Sequence, residues 1–124
     1  MKTIEEIHRK VLRLFSWAPD KETFDRWEYW SSFADDVQEG KNFVGDCDNF
    51  SLTCAEVLLR EGYEPENIRL ALCWTETDEY HAVCVCKGIV LDNRHRFTVH
   101  WGRLPYKWDK GMRLSEKGVW REIN

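Results

Sequence analysis

The sequence lacks the long apolar runs that membrane-spanning segments need. No stretch approaches about 18 consecutive apolar residues, and the first segment, MKTIEEIHRKVLRLF, carries charges every few positions, unlike the apolar centre of a signal peptide. Proline and glycine are also scarce, with 3 and 7 residues among 124, and they form no linker-like stretch. We therefore expect a cytoplasmic protein without a membrane partner, folded as one domain over residues 1–124.

The cysteine motifs of redox and zinc sites are missing as well. The five cysteines are an odd number, no Cys-x-x-Cys pair occurs among them, and most lie in apolar periodic segments. A reduced thiol in such a segment packs as a small apolar side chain. Zinc is a competing hypothesis, but alternation along a strand puts His81 on the opposite face from the Cys-x-Cys pair. The ligands of that site would be Cys73, Cys84, Cys86 and His81.

Basic side chains are in the minority over residues 1–93, and acidic side chains are scarce over residues 94–124. Residues 1–93 carry 10 basic and 19 acidic side chains, whereas residues 94–124 carry 8 and 3. A non-catalytic module with a basic aromatic surface that binds nucleic acid is therefore a second competing hypothesis. We favour a solvated basic face that complements the acidic remainder of the chain. The residues of that surface would be Arg94, His95, Arg96, His100, Trp101, Arg103, Tyr106 and Trp108.

Three helical patterns occupy the first half of the chain. Thr3 and Glu6 have the spacing of a capping box at the start of the first helix. Asp46 is a suitable cap for the third helix, and Gly62 is a suitable end for it. The second pattern is an amphipathic segment with an aromatic stripe. The predicted helices cover residues 3–16, 20–37 and 47–61, with a loop over residues 40–45.

Strand patterns occupy the second half of the chain. The segment IRLALCW becomes continuously apolar, as a central strand does, and the two segments that follow it are joined by Lys87-Gly88 and read as a hairpin. The predicted strands cover residues 68–74, 81–86, 89–93 and 97–101, with a short closing strand within residues 117–123. Helices followed by consecutive antiparallel strands indicate an α+β domain, in which the helix that starts at Cys47 packs centrally on a small sheet.

Cys47 lies in the segment GDCDNF, at the start of that central helix. The first turn of a helix lowers the pKa of a thiol through its unpaired N–H groups and dipole. The neighbouring Asp46 and Asp48 raise the same pKa through their charge. The position of Cys47 alone is therefore weak support for a nucleophile, which also needs a base.

His81 is the best candidate for that base because of the hairpin geometry. With Lys87-Gly88 as the turn, Val85 faces Val90, and His81 becomes the diagonal neighbour of Asp92 on the same sheet face. Diagonal neighbours lie roughly 7 to 8 Å apart, a distance that two polar side chains can close. A shift of one residue would put Asp92 on the opposite face. The register therefore predicts an acid oriented on an imidazole, as cysteine nucleophiles require.

Three segments in order resemble one known family. They are GDCDNFSLTCAEVLLREGYEPENIRLALCW, HAVCVCKGIVLDN and YKWDKGMRLSEKGVWREI, within about residues 27–122. They resemble the bacterial transglutaminase-like cysteine proteinases, a branch of the papain-like and transglutaminase-like superfamily. The resemblance implies a papain-like/transglutaminase-like fold and a catalytic triad of Cys47, His81 and Asp92.

The resemblance also implies the chemistry. A cysteine peptidase or amidase without a cofactor would hydrolyse a protein or peptide through a thioester, and a transglutaminase or deamidase would use the same three residues. The Cys47 N–H would supply one donor to the oxyanion. The second donor stays open between Asn42, Gln38 and an indole. The substrate and the oligomeric state do not follow from the sequence.

The resemblance is incomplete directly after the nucleophile. Family members usually carry Glu-Asp-Tyr there, where this chain has Asp48-Asn49-Phe50. Periplasmic relatives bind calcium through acids beside the cysteine, which makes Asp46 and Asp48 the candidate ligands. Calcium needs 6 to 8 oxygens as a general rule, and the local supply of carboxylates is small. We therefore expect Asp46 to serve as a helix cap, with no metal required.

Overall fold

The computed structural model describes residues 1–18 and 30–123, which contain three helices and eight strands. None of the helices in these two ranges is long and apolar enough to cross a bilayer. Single 3-10 turns precede β3 and follow β6 and β7. In chain order the elements are α1 (Ile4–Leu14), β1 (Phe15–Trp17), α2 (Ala34–Gln38), β2 (Phe43–Gly45), α3 (Cys47–Arg60), β3 (Ile68–Trp74), β4 (Tyr80–Cys86), β5 (Ile89–Leu91), β6 (Val99–His100), β7 (Lys107–Arg113) and β8 (Arg121–Glu122).

The main sheet has six strands in the order β6-β5-β4-β3-β7-β8, and every neighbouring pair in it is antiparallel. Ile68, Leu70 and Leu72 of β3 are fully buried, which is why this segment of the sequence is nearly all apolar. β1 and β2 form a separate parallel pair. The predicted α+β architecture and the central position of β3 are confirmed.

α3 is the central helix and packs on one face of the sheet. Phe50, Cys54 and Leu58 recur at helical spacing and are fully buried against it. Burial of a large apolar side chain contributes about 1.5 to 3 kcal/mol to folding, so this stripe holds the helix on the sheet.

α1 contributes Ile7 and Val11 to the same core. Its predicted capping box is present, since Glu6 N–H donates to Thr3 Oγ1 and Thr3 N–H donates to Glu6 Oε1.

The hairpin register is the one that the turn predicts. Cys84 pairs with Leu91 and Val85 pairs with Val90, so β4 and β5 join through Lys87-Gly88. Lys87 has φ 53° and Gly88 has φ 81°, as a two-residue turn that follows the twist of the strands requires. This register decides which side chains of β4 and β5 share a face, and it therefore positions the site.

Several element boundaries differ from the predicted ones. Most of the predicted helix over residues 20–37 lies outside the described residues, and its described part forms only the short α2. The predicted loop over residues 40–45 contains β2, which gains its pairing from the distant β1. β7 was not predicted, because KWDKGMR mixes charges with a glycine and has little intrinsic strand preference. Its pairing with β3, which includes a register shift, is what makes it a strand.

Candidate active site

Cys47 is the first residue of α3, and the residues around it hold the helix start in place. Asp46 Oδ1 accepts hydrogen bonds from Asp48 N–H at 3.2 Å and from Asn49 N–H at 3.4 Å. Asn49 Oδ1 accepts in return from Asp46 N–H at 3.0 Å. This reciprocal capping box fixes the backbone on both sides of Cys47. Asp46 is therefore the cap that the sequence predicts.

Gly45 and Asn49 determine how the preceding chain approaches the helix. A Cβ atom on Gly45 would lie 2.7 Å from Asn49 Cβ, closer than any side chain allows, so only glycine fits. Asn49 Nδ2 also donates to Ser31 O at 3.1 Å. The amide thus serves as acceptor and as donor at once, which a carboxylate could not do. Asn49 is a structural tie of this chain as well as a departure from the family pattern.

The Cys47 thiol is half-buried between the helix start and β4. Its pKa is raised to about 12, mainly by burial and also by the charges of Asp46, Asp48 and Asp92, while a hydrogen bond from the Ala82 main-chain N–H acts in the opposite direction. The net shift of the Cys47 pKa is therefore upward, although the thiol lies at the start of a helix. The group rests as a neutral thiol at neutral pH, so its activation needs a base that takes the proton.

His81 and Asp92 meet on the sheet as the register predicts. His81 Nε2 lies 2.7 Å from Asp92 Oδ1, and the two residues are only 6% and 1% exposed. A carboxylate only accepts, so Nε2 is the donor and Nδ1 is the basic nitrogen of the neutral ring. His81 directly precedes Ala82, the residue whose N–H contacts the Cys47 thiol. The three predicted residues therefore share one region of the molecule.

Asp92 is kept ionised although it is buried. Burial by itself would raise its pKa, but the hydrogen bond and charge of His81, followed by the hydrogen bonds of Tyr106 and Arg94, lower the pKa below its ordinary value. Tyr106 Oη donates to Asp92 Oδ2 at 2.5 Å, and Arg94 N–H donates to Oδ1 at 3.0 Å. Both carboxylate oxygens of Asp92 are therefore engaged.

A second layer of contacts surrounds the Tyr106 hydroxyl. Arg94 Nη1 lies 3.0 Å and His95 Nε2 lies 3.1 Å from Tyr106 Oη. The Arg94 guanidinium also forms two hydrogen bonds, of 2.7 and 3.0 Å, with the carboxylate of Glu76 in the β3–β4 connection. The sequence assigned Tyr106, Arg94 and His95 to a basic surface. The contact of Tyr106 with Asp92 could not be foreseen, because Tyr106 precedes the unpredicted β7.

His8 is a further contact that the sequence analysis missed. It is fully buried, its Nε2 lies 3.0 Å from the Asp92 main-chain oxygen, and its ring packs edge-on against Phe50. This bond ties α1 to the residue that holds His81. A signal was present in the sequence, since His8 lies on the apolar stripe with Ile4 and Val11, where a polar residue is unusual.

Gln38, one of the side-chain amides suggested as an oxyanion donor, lies far from Cys47. Gln38 Oε1 accepts from Arg60 Nη1 at 2.8 Å, and Arg60 ends the helix that Cys47 begins. At a rise of 1.5 Å per residue, the two ends of this helix lie about 20 Å apart. The suggestion of Gln38 as an oxyanion donor is therefore wrong, because α2 packs beside the far end of α3. Asn42 is exposed just ahead of β2, and its assignment stays a prediction.

Asp46 and Asp48, the acidic residues beside Cys47, do not match the ligand requirements of calcium. Asp46 uses Oδ1 for the helix cap, and Asp48 is buried, with 4% exposure. Over residues 1–18 and 30–123, no group of three His, Cys, Asp or Glu side chains is arranged to hold a metal ion. Calcium requires more oxygen ligands than Asp46 and Asp48 offer. The donor set therefore does not fit the ion.

The cysteines proposed for zinc are divided between the two faces of the sheet. Cys73 packs with Val83 and Tyr106, whereas Cys84 and Cys86 belong to the core beneath α3. All five cysteines are free thiols, and four of them are buried. Core packing therefore explains Cys73, Cys84 and Cys86, as the apolar periodicity of their segments predicts.

A groove of about 620 Å³ lies on the sheet face opposite α3, and Trp108 connects it to the site by packing edge-on against Tyr106. Its walls are indoles, cationic side chains and smaller apolar side chains from β3, β4 and β7 and from the connections beside these strands. The nucleophile region does not line it. The most prominent of its lining residues are Trp101, Trp108, Arg69, Lys87 and Arg113.

Three solved structures with this architecture are of LapG from Legionella pneumophila. The calcium-bound form of LapG from Legionella pneumophila matches with a TM-score of 0.74 and 17% identity, over 97% of this chain and 67% of that chain. The EGTA-treated form matches with a TM-score of 0.72 and 16% identity, over 98% and 66%. The chain thus spans about two thirds of the length of LapG, and at this identity the likeness shows a common fold. No curated protein is matched by sequence.

The family model described as bacterial transglutaminase-like cysteine proteinase matches residues 1–124. The match includes the GDC segment at the start of α3, the HAV segment of β4 and the LDN segment at the end of β5. The fold shared with LapG agrees with it. The resemblance drawn from these segments is confirmed, and the chain belongs to the bacterial transglutaminase-like cysteine proteinase family.

Proposed function

We propose that the protein is a cysteine peptidase or amidase in which Cys47 is the nucleophile, His81 the general base and acid, and Asp92 the residue that orients His81. The observation that carries the proposal is the 2.7 Å contact between His81 Nε2 and Asp92 Oδ1, one residue from the amide that contacts the Cys47 thiol. This arrangement combines a helix-start thiol with an oriented imidazole, as thiol-dependent acyl transfer requires.

The reaction begins with proton transfer. Because burial raises the pKa of Cys47 to about 12, thiolate forms when the basic nitrogen of His81, Nδ1, takes the thiol proton. Cys47 Sγ then bonds to the substrate carbonyl carbon, and the carbonyl π electrons move to oxygen. Collapse of this oxyanion breaks the bond to the leaving amine, which takes the proton from His81. The product of this half-reaction is a thioester on Cys47.

The Cys47 main-chain N–H is suited to stabilise the oxyanion. It belongs to the first turn of α3, where N–H groups have no partner within the helix. The next three amides are engaged: Asp48 and Asn49 donate to the Asp46 carboxylate, and Phe50 donates to the Asp46 carbonyl. The Cys47 N–H is thus the amide left for substrate at this helix start. A second donor is needed, and Asn42 is the remaining side-chain amide candidate.

The acceptor of the acyl group decides which reaction is completed. Water, activated by His81, would release an acid and regenerate the thiol, which is peptidase or deamidase chemistry. An amine in place of water would give transamidation by the same steps. We favour a protein or peptide substrate and hydrolysis, because the family to which the chain belongs is one of proteinases. A metal is not part of the proposed mechanism.

The experiment compares wild-type protein with Cys47→Ala on a mixture of native proteins, read by mass spectrometry. New amino termini that form only with wild type would support hydrolysis of peptide bonds. Conversion of glutamine to glutamate, or incorporation of an added primary amine, would identify the two alternative acyl transfers. Cys54→Ala is the matched control, since Cys54 is a buried thiol of the same helix and should retain activity in the folded protein.

A result with no difference between wild type and Cys47→Ala in any of the three readouts would refute the nucleophile assignment. His81→Ala should abolish the same signal with Cys47 in place. Retained activity in that variant would show that another group takes the proton. The two variants therefore test the nucleophile and the base separately.

A further inference from the structure

The hydroxyl of Tyr106 has a single direction available for its proton. A phenol oxygen offers one donor and two acceptor positions. Arg94 Nη1 at 3.0 Å fills one acceptor position, since a guanidinium only donates. Of the other two neighbours, Asp92 Oδ2 at 2.5 Å is closer than His95 Nε2 at 3.1 Å and, as a carboxylate oxygen, only accepts, so it receives the hydroxyl proton. His95 Nε2, which also lies 3.6 Å from Asp92 Oδ2, then fills the second acceptor position of the hydroxyl as a donor.

This constraint acts on the carboxylate that orients His81. Asp92 Oδ1 faces His81 Nε2 at 2.7 Å, and Oδ2 faces Tyr106. A carboxylate with only one oxygen held can rotate about its Cβ–Cγ bond, whereas hydrogen bonds on both oxygens fix its plane. Tyr106 is 7% exposed and its ring packs edge-on against His81, so its own position is restricted by packing.

Arg94, which contacts the Tyr106 hydroxyl, is held in place at the surface by Glu76. Arg94 forms two hydrogen bonds with Glu76, and its guanidinium lies 5.6 Å from the centre of the Tyr106 ring. Glu76 belongs to the connection between β3 and β4, the latter being the strand that begins beside His81. The Arg94–Glu76 pair thus links this connection to Asp92 through the Tyr106 hydroxyl.

We propose that Tyr106 is a positioning residue for the reaction, which holds Asp92 ionised and in plane with His81, and that Arg94 directs the Tyr106 hydroxyl toward Asp92. The inference rests on the proposed function, because it assigns a role relative to His81 and Asp92. Tyr106 donates to Asp92 and packs against His81, so its role is positioning rather than catalysis. Its effect reaches Cys47 through Asp92 and His81.

The test is the pH profile of Cys47 alkylation by iodoacetamide, which needs no knowledge of the substrate. In Tyr106→Phe, the ring and its packing stay while Asp92 loses one donor. The pKa of Asp92 then rises, and a protonated Asp92 cannot stabilise the His81 imidazolium. We expect the acid limb of the profile to move to higher pH by about one unit, as for loss of a hydrogen bond to a charged group. At neutral pH Asp92 stays ionised but no longer holds His81 in a fixed plane, so the rate there should fall by up to about 10-fold.

Two further variants distinguish a positioning role of Tyr106 from a role in the stability of the protein alone. Arg94→Ala should shift the acid limb in the same direction but by less, because Tyr106 can still donate to Asp92 without being directed. Tyr80→Phe is the matched control, since the Tyr80 hydroxyl makes a 2.5 Å hydrogen bond to another carboxylate, that of Asp109. Tyr80→Phe should lower the melting temperature and leave the acid limb where it is.

The outcomes distinguish this inference from the proposed function. If His81→Ala leaves the alkylation rate of Cys47 unchanged, the proposed function fails. If His81→Ala slows alkylation and Tyr106→Phe leaves the acid limb in place, the proposed function stands and the role of Tyr106 is refuted. If Tyr106→Phe does not fold, Arg94→Ala still tests the network, because it removes only a side chain at the surface.

Discussion

At the scale of single residues, Cys47 is subject to opposing influences. Its position in the first turn of α3 favours the thiolate, whereas burial and three nearby carboxylates favour the thiol, and burial dominates. The other four cysteines are buried, and Cys73, which lies opposite His81 in the β3–β4 pair, donates its thiol proton to the His81 main-chain oxygen. The reactivity of Cys47 therefore depends on proton transfer to His81 and on its half-exposed position.

We predict that iodoacetamide labels Cys47 first among the five thiols of the folded protein. Cys47 is the one cysteine that is not fully buried, and its thiol contacts the amide of Ala82, next to His81, whereas burial raises the pKa of Cys54 and Cys84 well above the ordinary value. Peptide mapping after brief labelling would measure the order. Equal early labelling of Cys54 or Cys84 would contradict the assignment of Cys47 as nucleophile.

Asp92→Asn should keep the fold and lower turnover at least about 100-fold, the usual range for loss of general acid–base function. An amide can donate to His81 Nε2 and would then favour the tautomer with its proton on Nδ1, as the corresponding change does in serine triads. Steady-state kinetics and circular dichroism would measure activity and fold. Asn93→Ala is the control, and turnover of Asp92→Asn near that of wild type would remove Asp92 from the mechanism.

At the scale of elements, the start of α3 and the β4–β5 hairpin bring the site together. The helix start is held by the Asp46 and Asn49 capping box, and the hairpin by a turn in which Lys87 and Gly88 both have positive φ. Each of these features is formed by residues that lie within a few positions of one another in the sequence. The geometry between Cys47 and His81 follows from packing the helix on the hairpin.

Asp46→Ala should destabilise the protein by about 1 kcal/mol, the usual cost of removing a helix cap. It should also lower the alkylation rate of Cys47, because the Asp48 and Asn49 amides lose their shared acceptor and the helix start loosens. Thermal unfolding would measure the first effect. Asp46→Asn retains an acceptor oxygen and should lose clearly less stability, and equal losses in the two variants would argue against the cap.

Gly45→Ala should destabilise the protein by about 1 to 3 kcal/mol, the range for overpacking a filled site. The added methyl would lie 2.7 Å from Asn49 Cβ and would force the capping box apart. Gly102→Ala is the control, since its methyl would meet only the His100 ring at 3.3 Å. Similar melting temperatures for the two variants would show that the Gly45 contact is relaxed at little cost.

At the scale of the whole molecule, the residues around Asp92 come from distant parts of the chain. His8 arrives from α1, Tyr106 from the segment before β7, and Glu76 from the β3–β4 connection through Arg94. The carboxylate is thus surrounded only when the complete domain is folded. The expected cytoplasmic location is independent of this arrangement and stays a prediction that cell fractionation would check.

Calcium is the whole-molecule property in which this chain should differ from LapG, whose structure has a calcium-bound form. We predict that chelation leaves activity and melting temperature unchanged, because Asp46 is committed to the helix cap. The measurement is thermal unfolding with EGTA and with millimolar calcium. A melting temperature that rises by several degrees with calcium, and no longer rises in Asp48→Ala, would show that a calcium site has survived.

The features that depend on local chemistry could be predicted from the order of the amino acids. Thr3 and Asp46 mark helix starts because their side chains satisfy nearby amides, and Lys87-Gly88 sets a register that makes His81 and Asp92 diagonal neighbours. Periodicity along β3 identified the central strand in the same way. These signals lie within a few residues of one another, where backbone preferences and side-chain alternation decide the outcome.

Only the tertiary structure decided which distant groups surround Asp92. His8 and Tyr106 lie 84 and 14 positions from it along the chain, and no local pattern relates them to a carboxylate. Likewise, β7 is a strand because it pairs with β3. Gln38 lies far from Cys47 because α2 packs beside the end of α3. Contacts of this kind are selected by the packing of the entire core, which a sequence pattern of short range does not encode.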